Sequence, residues 1–265
     1  MPLILVVKSS DAAVKTKREG TAQRVIAEFG DQLPNLKLLC FFDDVDWLPL
    51  RDAIGKANRG FYRPLSPSSQ FWNWPDDVME HLFIVDPPSW IQKLAFDHVI
   101  YLHGSTCSDE VGLSMTLAHE LQHFVQWSRT PQVYAAGILV LQLLAYWPQE
   151  TAAALGLKSW ADIPHERDVR IVAKRVVAKI FGQEGTARFI DGKIANPVDE
   201  TDGADWRFIQ AIGLLDTYDV SFETNRLFQR FEPYRRDCEE VLRNTFEYIP
   251  ELKHLDLDRL FRTWG

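Results

Sequence analysis

The amino-terminal part of the chain alternates short apolar runs with one amphipathic segment. Residues 3–7 form a continuous, largely β-branched apolar run, which is typical of a buried strand. Residues 11–29 then show the three- and four-residue apolar spacing of a helix, and a second apolar run follows over residues 36–42. The pattern predicts an opening strand–helix–strand unit.

The segment 43–88 has no regular hydrophobic period. Prolines and glycines recur along it, which predicts long loops and short helices, and the aromatic cluster 71–74 is expected to close a core or to line a cleft. Two apolar runs, residues 81–85 and 98–103, each end in turn-forming residues. Both runs are predicted strands.

From residue 109 onward the apolar spacing is mainly helical. The predicted fold class is therefore α+β, with a small mixed sheet at the amino terminus followed by a mainly helical body. We expect one elaborated domain over residues 1–265 with a helical carboxyl-terminal extension over 204–265. Residues 222–265 are expected to be a packed helical appendage, and a partner-binding helix is the alternative. Helices are predicted over residues 109–128, 132–146, 151–157, 163–181, 205–216, 222–247 and 255–263.

The composition is that of a globular protein and disfavours several classes of partner and site. The 265 residues are 46% hydrophobic and 25% charged, as in ordinary globular proteins, and the net charge of −8 disfavours nucleic acid and anionic membranes as partners. The longest apolar stretch, residues 135–147, is too short to span a bilayer, and the expected location is the cytoplasm. The three cysteines show no C-x-x-C spacing, which argues against a disulfide framework and against a cysteine-bound zinc.

One motif carries recognisable chemistry. Residues 119–123 read His-Glu-Leu-Gln-His inside a predicted helix, and histidines four residues apart project from one helix face, where both imidazoles can reach one zinc ion at about 2.0–2.1 Å. Glu120 lies beside the first histidine, where its carboxylate can take a proton from a water whose pKa the metal lowers from about 15.7 towards about 7. The motif predicts one zinc ion with His119 and His123 as ligands and Glu120 as general base.

A catalytic zinc ion usually has three protein ligands, so a third must come from another part of the chain. Glu166 is the first candidate because it falls in the opening turn of the predicted helix 163–181, whose apolar stripe would hold it against the core. Glu150, His165 and Asp168 are chemically allowed alternatives that the sequence leaves open.

The H-E-x-x-H motif followed by a later glutamate resembles the zincin-like metallopeptidases, and among them the gluzincin type. The resemblance implies that His119, His123 and Glu166 bind zinc, and that Glu120 is the general base. It also implies that the strand before the motif is the edge strand of a small twisted sheet. Arg170 stands where thermolysin-like members have an aspartate that supports a zinc histidine, and the further histidine of the metzincin type is absent from the sequence.

The sequence therefore predicts a zinc metallopeptidase, a hydrolase with a catalytic core over about residues 81–181 and a restricted intracellular peptide or protein substrate. We expect the strand before the motif to bind an extended substrate by β-addition. Two alternatives are a zincin-like module that binds or regulates a partner without catalysis, and a cysteine–histidine hydrolase built on Cys107. Candidates for stabilising the oxyanion are Tyr101, His103, Tyr134 and His165.

Overall fold

The structure is a computed structural model and describes most of the chain. The fold is α+β, with a small mixed sheet near the amino terminus and a mostly helical body, as the sequence predicts. The predicted strand 81–85, the aromatic cluster 71–74, Glu150 and part of the predicted helix 151–157 lie outside the described residues. The described residues are 3–33, 35, 37–45, 59–64, 97–146, 152–153, 155–157, 160–245 and 250–262.

The chain divides into two compact units. The first unit is Met1–Phe124 with Val172–Gln210, and the second unit is Val125–Ile171 with Ala211–Gly265. The first unit contains the sheet and the H-E-x-x-H residues, whereas the second contains Glu166.

The sheet of the first unit has four strands in the order β1-β2-β4-β3. β1, β2 and β4 are parallel, and β3 is antiparallel to β4. Every residue of β2 and β4 is buried, which explains why their sequences are continuous apolar runs rather than alternating ones. The strands are Leu3–Val7 (β1), Leu38–Phe42 (β2), Gly60–Pro64 (β3) and His98–Leu102 (β4).

β3 corrects two expectations. Its sequence, Gly-Phe-Tyr-Arg-Pro, lies in the segment predicted to be irregular, and its strand conformation comes from pairing with β4 rather than from local propensity. Because β4 is hydrogen-bonded to β2 on one side and to β3 on the other, the strand before the motif is not an edge strand and has no open side for β-addition. The predictions that the strand before the motif is an edge strand and that it binds substrate by β-addition were therefore both wrong. Among the described strands, β3 is the edge strand on the side of β4, and β1 is the edge strand on the other side.

Helices account for most of the remaining described chain, and several of them match the predicted ranges closely. They are Ala12–Phe29 (α1), Gly104–Cys107 (α2), Glu110–Arg129 (α3), Pro131–Tyr146 (α4), Pro164–Phe181 (α5), Gln183–Ala195 (α6), Glu200–Ala211 (α7), Val220–Phe231 (α8), Arg235–Thr245 (α9) and Leu257–Phe261 (α10).

Several helices differ from the predictions, and α2 is one that was not predicted. α6 was not predicted, and α7 lies about five residues earlier than the predicted helix 205–216, because the Asp199 side chain accepts from the Asp202 amide at 2.8 Å and caps the helix there. The predicted helix 222–247 is two helices, α8 and α9. They are separated by a 3-10 turn over Glu232–Tyr234, where proline leaves one amide hydrogen bond unmade.

The second unit is built around α4, which is buried as its apolar sequence predicts. Phe228 and Phe231 of α8 are completely buried, and they belong to one hydrophobic core with Leu139 and Val140 of α4 and with Leu252. This packing accounts for the aromatic residues of the carboxyl-terminal region and favours the packed-extension interpretation. Within the described residues, no helix combines the length and the apolarity that crossing a bilayer demands.

His98 is a buried histidine at the start of β4, with 1% of its surface exposed. Nδ1 shares a 2.9 Å hydrogen bond with the Tyr62 hydroxyl, and the ring lies 4.8 Å from the ring of Phe124, centroid to centroid. Burial lowers the pKa of His98 to about 4. The contacts agree with a structural role for this histidine.

We expect His98 to cost the protein about 2 kcal/mol of unfolding free energy between pH 7 and pH 5. Its folded-state pKa lies below the value of about 6.5 in the unfolded chain, so on acidification the unfolded chain binds a proton that the folded chain does not. The destabilisation by His98 is absent above about pH 7 and grows as the pH falls from about 6.5 towards 4. Urea unfolding at the two pH values measures it. His98→Gln should lose correspondingly less stability on acidification, and exposed His254→Gln should behave as the parent; identical losses in all three proteins would contradict the assignment.

Candidate metal centre

The helix α3 carries the H-E-x-x-H residues and starts where the sequence indicates. The Asp109 carboxylate accepts a 2.7 Å hydrogen bond from the Gly112 amide and so caps the first turn. One face of the helix is buried as its spacing predicts, through residues that include Met115, Ala118 and Leu121. The motif residues therefore lie on a capped helix that is packed through its apolar face.

The structure brings His119, Glu120 and His123 together on α3. A ring nitrogen of each histidine and a carboxylate oxygen of Glu120 all lie within 4.8 Å of one another. The two imidazole centroids are 5.0 Å apart and their planes are nearly perpendicular, at 78°. His123 and Glu120 are buried, at 7% and 6% exposure, whereas His119 is half-buried. Two imidazoles and a carboxylate in this arrangement fit a divalent metal ion.

Glu166 lies in the second unit, in the first turn of α5, as predicted. It is 4% exposed, and Arg170 one turn later donates through Nη1 to Oε2 and to the Glu166 backbone carbonyl, both at 2.7 Å. The Arg170 guanidinium is itself buried and lies 4.7 Å from the ring centroid of Trp160. Arg170 therefore fixes one oxygen of the Glu166 carboxylate with a charge-assisted hydrogen bond.

His165 and Asp168, two of the alternative ligands, belong to the same helix start. His165 Nε2 is 3.4 Å from Glu166 Oε1, and His165 is 1% exposed. The Gln126 side-chain amide donates to the His165 backbone carbonyl at 3.0 Å and to Asp168 Oδ2 at 2.8 Å. Asp168 thus serves to anchor Gln126.

The role of Gln126 was missed from the sequence. It is buried, at 2% exposure, in the last turns of α3, and it ties those turns to the first turn of α5 within the second unit. The available signal was its position: an amide three residues after His123, next to the apolar Phe124 and Val125 on the same helix.

The four oxyanion candidates fall into two pairs. In the first unit, the Tyr101 hydroxyl donates to the buried carboxylate of Asp43, and the ring of His103 meets Tyr101 edge-on at 5.1 Å between centroids. In the second unit, the ring of Tyr134 meets His165 edge-on at 6.1 Å between centroids. The Tyr101 hydroxyl is engaged by an internal carboxylate, which gives this tyrosine a structural function.

Cys107, the basis of the cysteine–histidine alternative, lies at the end of α2 and is 4% exposed. Its thiol contacts the Leu102 carbonyl oxygen at 3.8 Å. This is the environment of a small packed side chain rather than of an accessible nucleophile.

Comparisons with known proteins do not assign this chain to a family. No protein-family model matches the chain, and searches of curated proteins and of solved structures find no match either. The resemblance to zincin-like metallopeptidases stays a prediction, and it rests on the residues of the motif.

Proposed function

We propose that this protein is a zinc-dependent hydrolase that cleaves peptide bonds. In this proposal His119 and His123 bind one zinc ion, Glu120 is the general base, and Glu166 is the predicted third ligand. One observation carries the proposal: a ring nitrogen of each histidine and a carboxylate oxygen of Glu120 lie within 4.8 Å of one another on α3.

The donor types favour zinc over magnesium and calcium. Imidazole nitrogen is a preferred zinc ligand, whereas magnesium and calcium bind oxygen donors. All three cysteines are buried free thiols, which leaves imidazole and carboxylate as the ligand set and fits a reducing compartment such as the cytoplasm. When bound, zinc supplies Lewis-acid activation of water and of the scissile carbonyl.

The chain's own residues supply the proton transfers and the orientation. Glu120 follows His119 directly, so its carboxylate lies beside the ligand pair and can accept the proton of the attacking water. The same carboxyl group can then deliver that proton to the leaving amine. The Arg170 hydrogen bond to Oε2 holds Glu166 in one orientation, which favours a carboxylate that acts as a ligand through Oε1.

Removal of the metal tests this proposal. We expect the purified protein to contain close to one zinc ion per chain and to cleave members of a peptide library. Dialysis against a strong chelator should remove the zinc and stop cleavage, and added zinc should restore both, because the base alone cannot activate water at neutral pH. Mass spectrometry of new peptide ends, with metal analysis of the same samples, measures the effect.

Dialysis without chelator serves as the control and should leave zinc and activity intact. A folded parent protein that contains no zinc and takes up none would overturn the proposal.

A further inference from the structure

We propose that His165 is an additional metal ligand beside Glu166. The inference rests on the proposed function, because it takes Glu166 to be a zinc ligand. It assigns a metal-binding role to a histidine that lies outside the H-E-x-x-H motif, and it is carried by the geometry of the first turn of α5 in the second unit.

The separation of the two donor atoms is the first argument. His165 Nε2 and Glu166 Oε1 are 3.4 Å apart. Hydrogen bonds of the N–H···O type have donor–acceptor distances of about 2.7–3.2 Å, so the pair is wider than a hydrogen bond. Two ligands of one tetrahedral zinc ion, each bonded at about 2.0–2.1 Å, are separated by about 3.4 Å. The two atoms therefore stand at the spacing of neighbouring ligands.

The second argument is that hydrogen bonds position both residues, Glu166 through its side chain and His165 through its backbone. Arg170 binds Oε2 of Glu166, which leaves Oε1 on the side that faces His165. Gln126 binds the backbone carbonyl of His165 and so fixes the start of the helix. Ligands of catalytic and structural metals are oriented by such supporting hydrogen bonds.

Gly137 provides the third argument. It lies in the interior of α4, where glycine is unfavourable compared with alanine. A Cβ atom at this position would lie 2.1 Å from Nδ1 of His165 and 2.4 Å from two ring carbons. The imidazole of His165 therefore occupies the space of the missing side chain, and α4 accommodates that ring at the expense of its own helix propensity. The ring is placed so that Nδ1 faces α4 while Nε2 faces Glu166.

An additional histidine ligand affects what the metal can do. A catalytic zinc ion keeps one position for water, and a further protein donor competes with water for that position. His165 would then contribute to affinity for the ion and to the control of its access to water.

Zinc affinity of His165→Gln tests the inference. We expect its zinc dissociation constant, measured by competition with a chromophoric chelator, to rise more than about 100-fold over that of the parent, because residues that only support a ligand already account for about 10- to 100-fold. Gly137→Ala should raise the dissociation constant in the same direction, since the added methyl group displaces the His165 imidazole while every proposed ligand residue is kept. Cobalt(II) in place of zinc should show altered visible absorption bands in both variants, which loss of a merely structural contact would not produce.

Gly192→Ala is the matched control, because Gly192 is a helical glycine whose Cβ would meet no atom within 4 Å. It should keep the affinity and the cobalt spectrum of the parent. Should Gly137→Ala fail to fold, His165→Gln decides alone. Parental zinc affinity together with a parental cobalt spectrum in folded His165→Gln would overturn this inference but not the proposed function. A parent that binds neither zinc nor cobalt would overturn the proposed function itself.

Discussion

Replacing Glu120 with glutamine is expected to lower the rate of peptide cleavage by about 10²- to 10⁴-fold, the usual contribution of a general base. Glutamine has nearly the same size but cannot accept the proton of the attacking water. Since Glu120 is proposed as the base and not as a ligand, the zinc content should remain that of the parent. Rates on a peptide library and metal analysis of the same preparation measure the two quantities.

Glu110→Gln is the matched control for this variant. Glu110 lies in the first turn of the same helix, and its carboxylate is paired with Lys17 at 3.7 Å. The control should cleave as the parent does. Comparing new protein ends in cell extracts treated with the parent or with Glu120→Gln would also identify the substrate. If a biological activity of the protein persists undiminished in Glu120→Gln, the non-catalytic binding module is the better interpretation.

Replacing His119 with alanine is expected to remove most of the bound zinc, with an affinity loss of more than about 100-fold. Residues that only support a metal ligand already account for about 10- to 100-fold, so a direct ligand should account for more. Glu166→Gln tests the predicted third ligand by the same measurement and should also lose zinc. Metal content after gel filtration and chelator competition give the result.

His254→Ala controls for the loss of a histidine. His254 is exposed, and its ring contacts Trp127 edge-on at 5.6 Å between centroids. Zinc content in this variant should equal that of the parent. Retention of stoichiometric zinc by His119→Ala would show that the motif histidines do not hold the ion, whereas retention by Glu166→Gln alone would move the third ligand to another residue.

Secondary structure was predictable where a local pattern determines it. The strands β1, β2 and β4 are continuous apolar runs, although four of the five residues of β1 are only half-buried and the prediction of a buried strand holds there in part. α3 and α5 show helical spacing with their starts marked by Asp109 and Pro164. β3 was not predictable, because a strand that contains glycine, arginine and proline has little intrinsic preference and gains its conformation from hydrogen bonds to β4. The edge-strand prediction failed for the same reason, since the pairing of β4 depends on residues far away in the sequence.

The candidate site also has features that the sequence predicts and features that it does not. The convergence of His119, Glu120 and His123 follows from helix geometry, since His119 and Glu120 lie four and three residues before His123 and residues at these spacings are neighbours on a helix surface. The sequence left the function of Arg170 unassigned because only the folded chain shows that its guanidinium binds Glu166. Gly137 carries no sequence signal at all, because its importance comes from a ring that approaches from another helix.

The sequence by itself determined the α+β class, the motif helix and the types of donor atom, because each depends on neighbours within one or two turns or within one strand. Tertiary structure alone decided which strand lies outside β4, which group orients Glu166, and how closely His165 approaches Glu166 and Gly137. These features depend on distances between side chains that are remote in sequence or that are oriented by remote partners. Packing sets such distances, and they cannot be read from the spacing of hydrophobic residues along the chain.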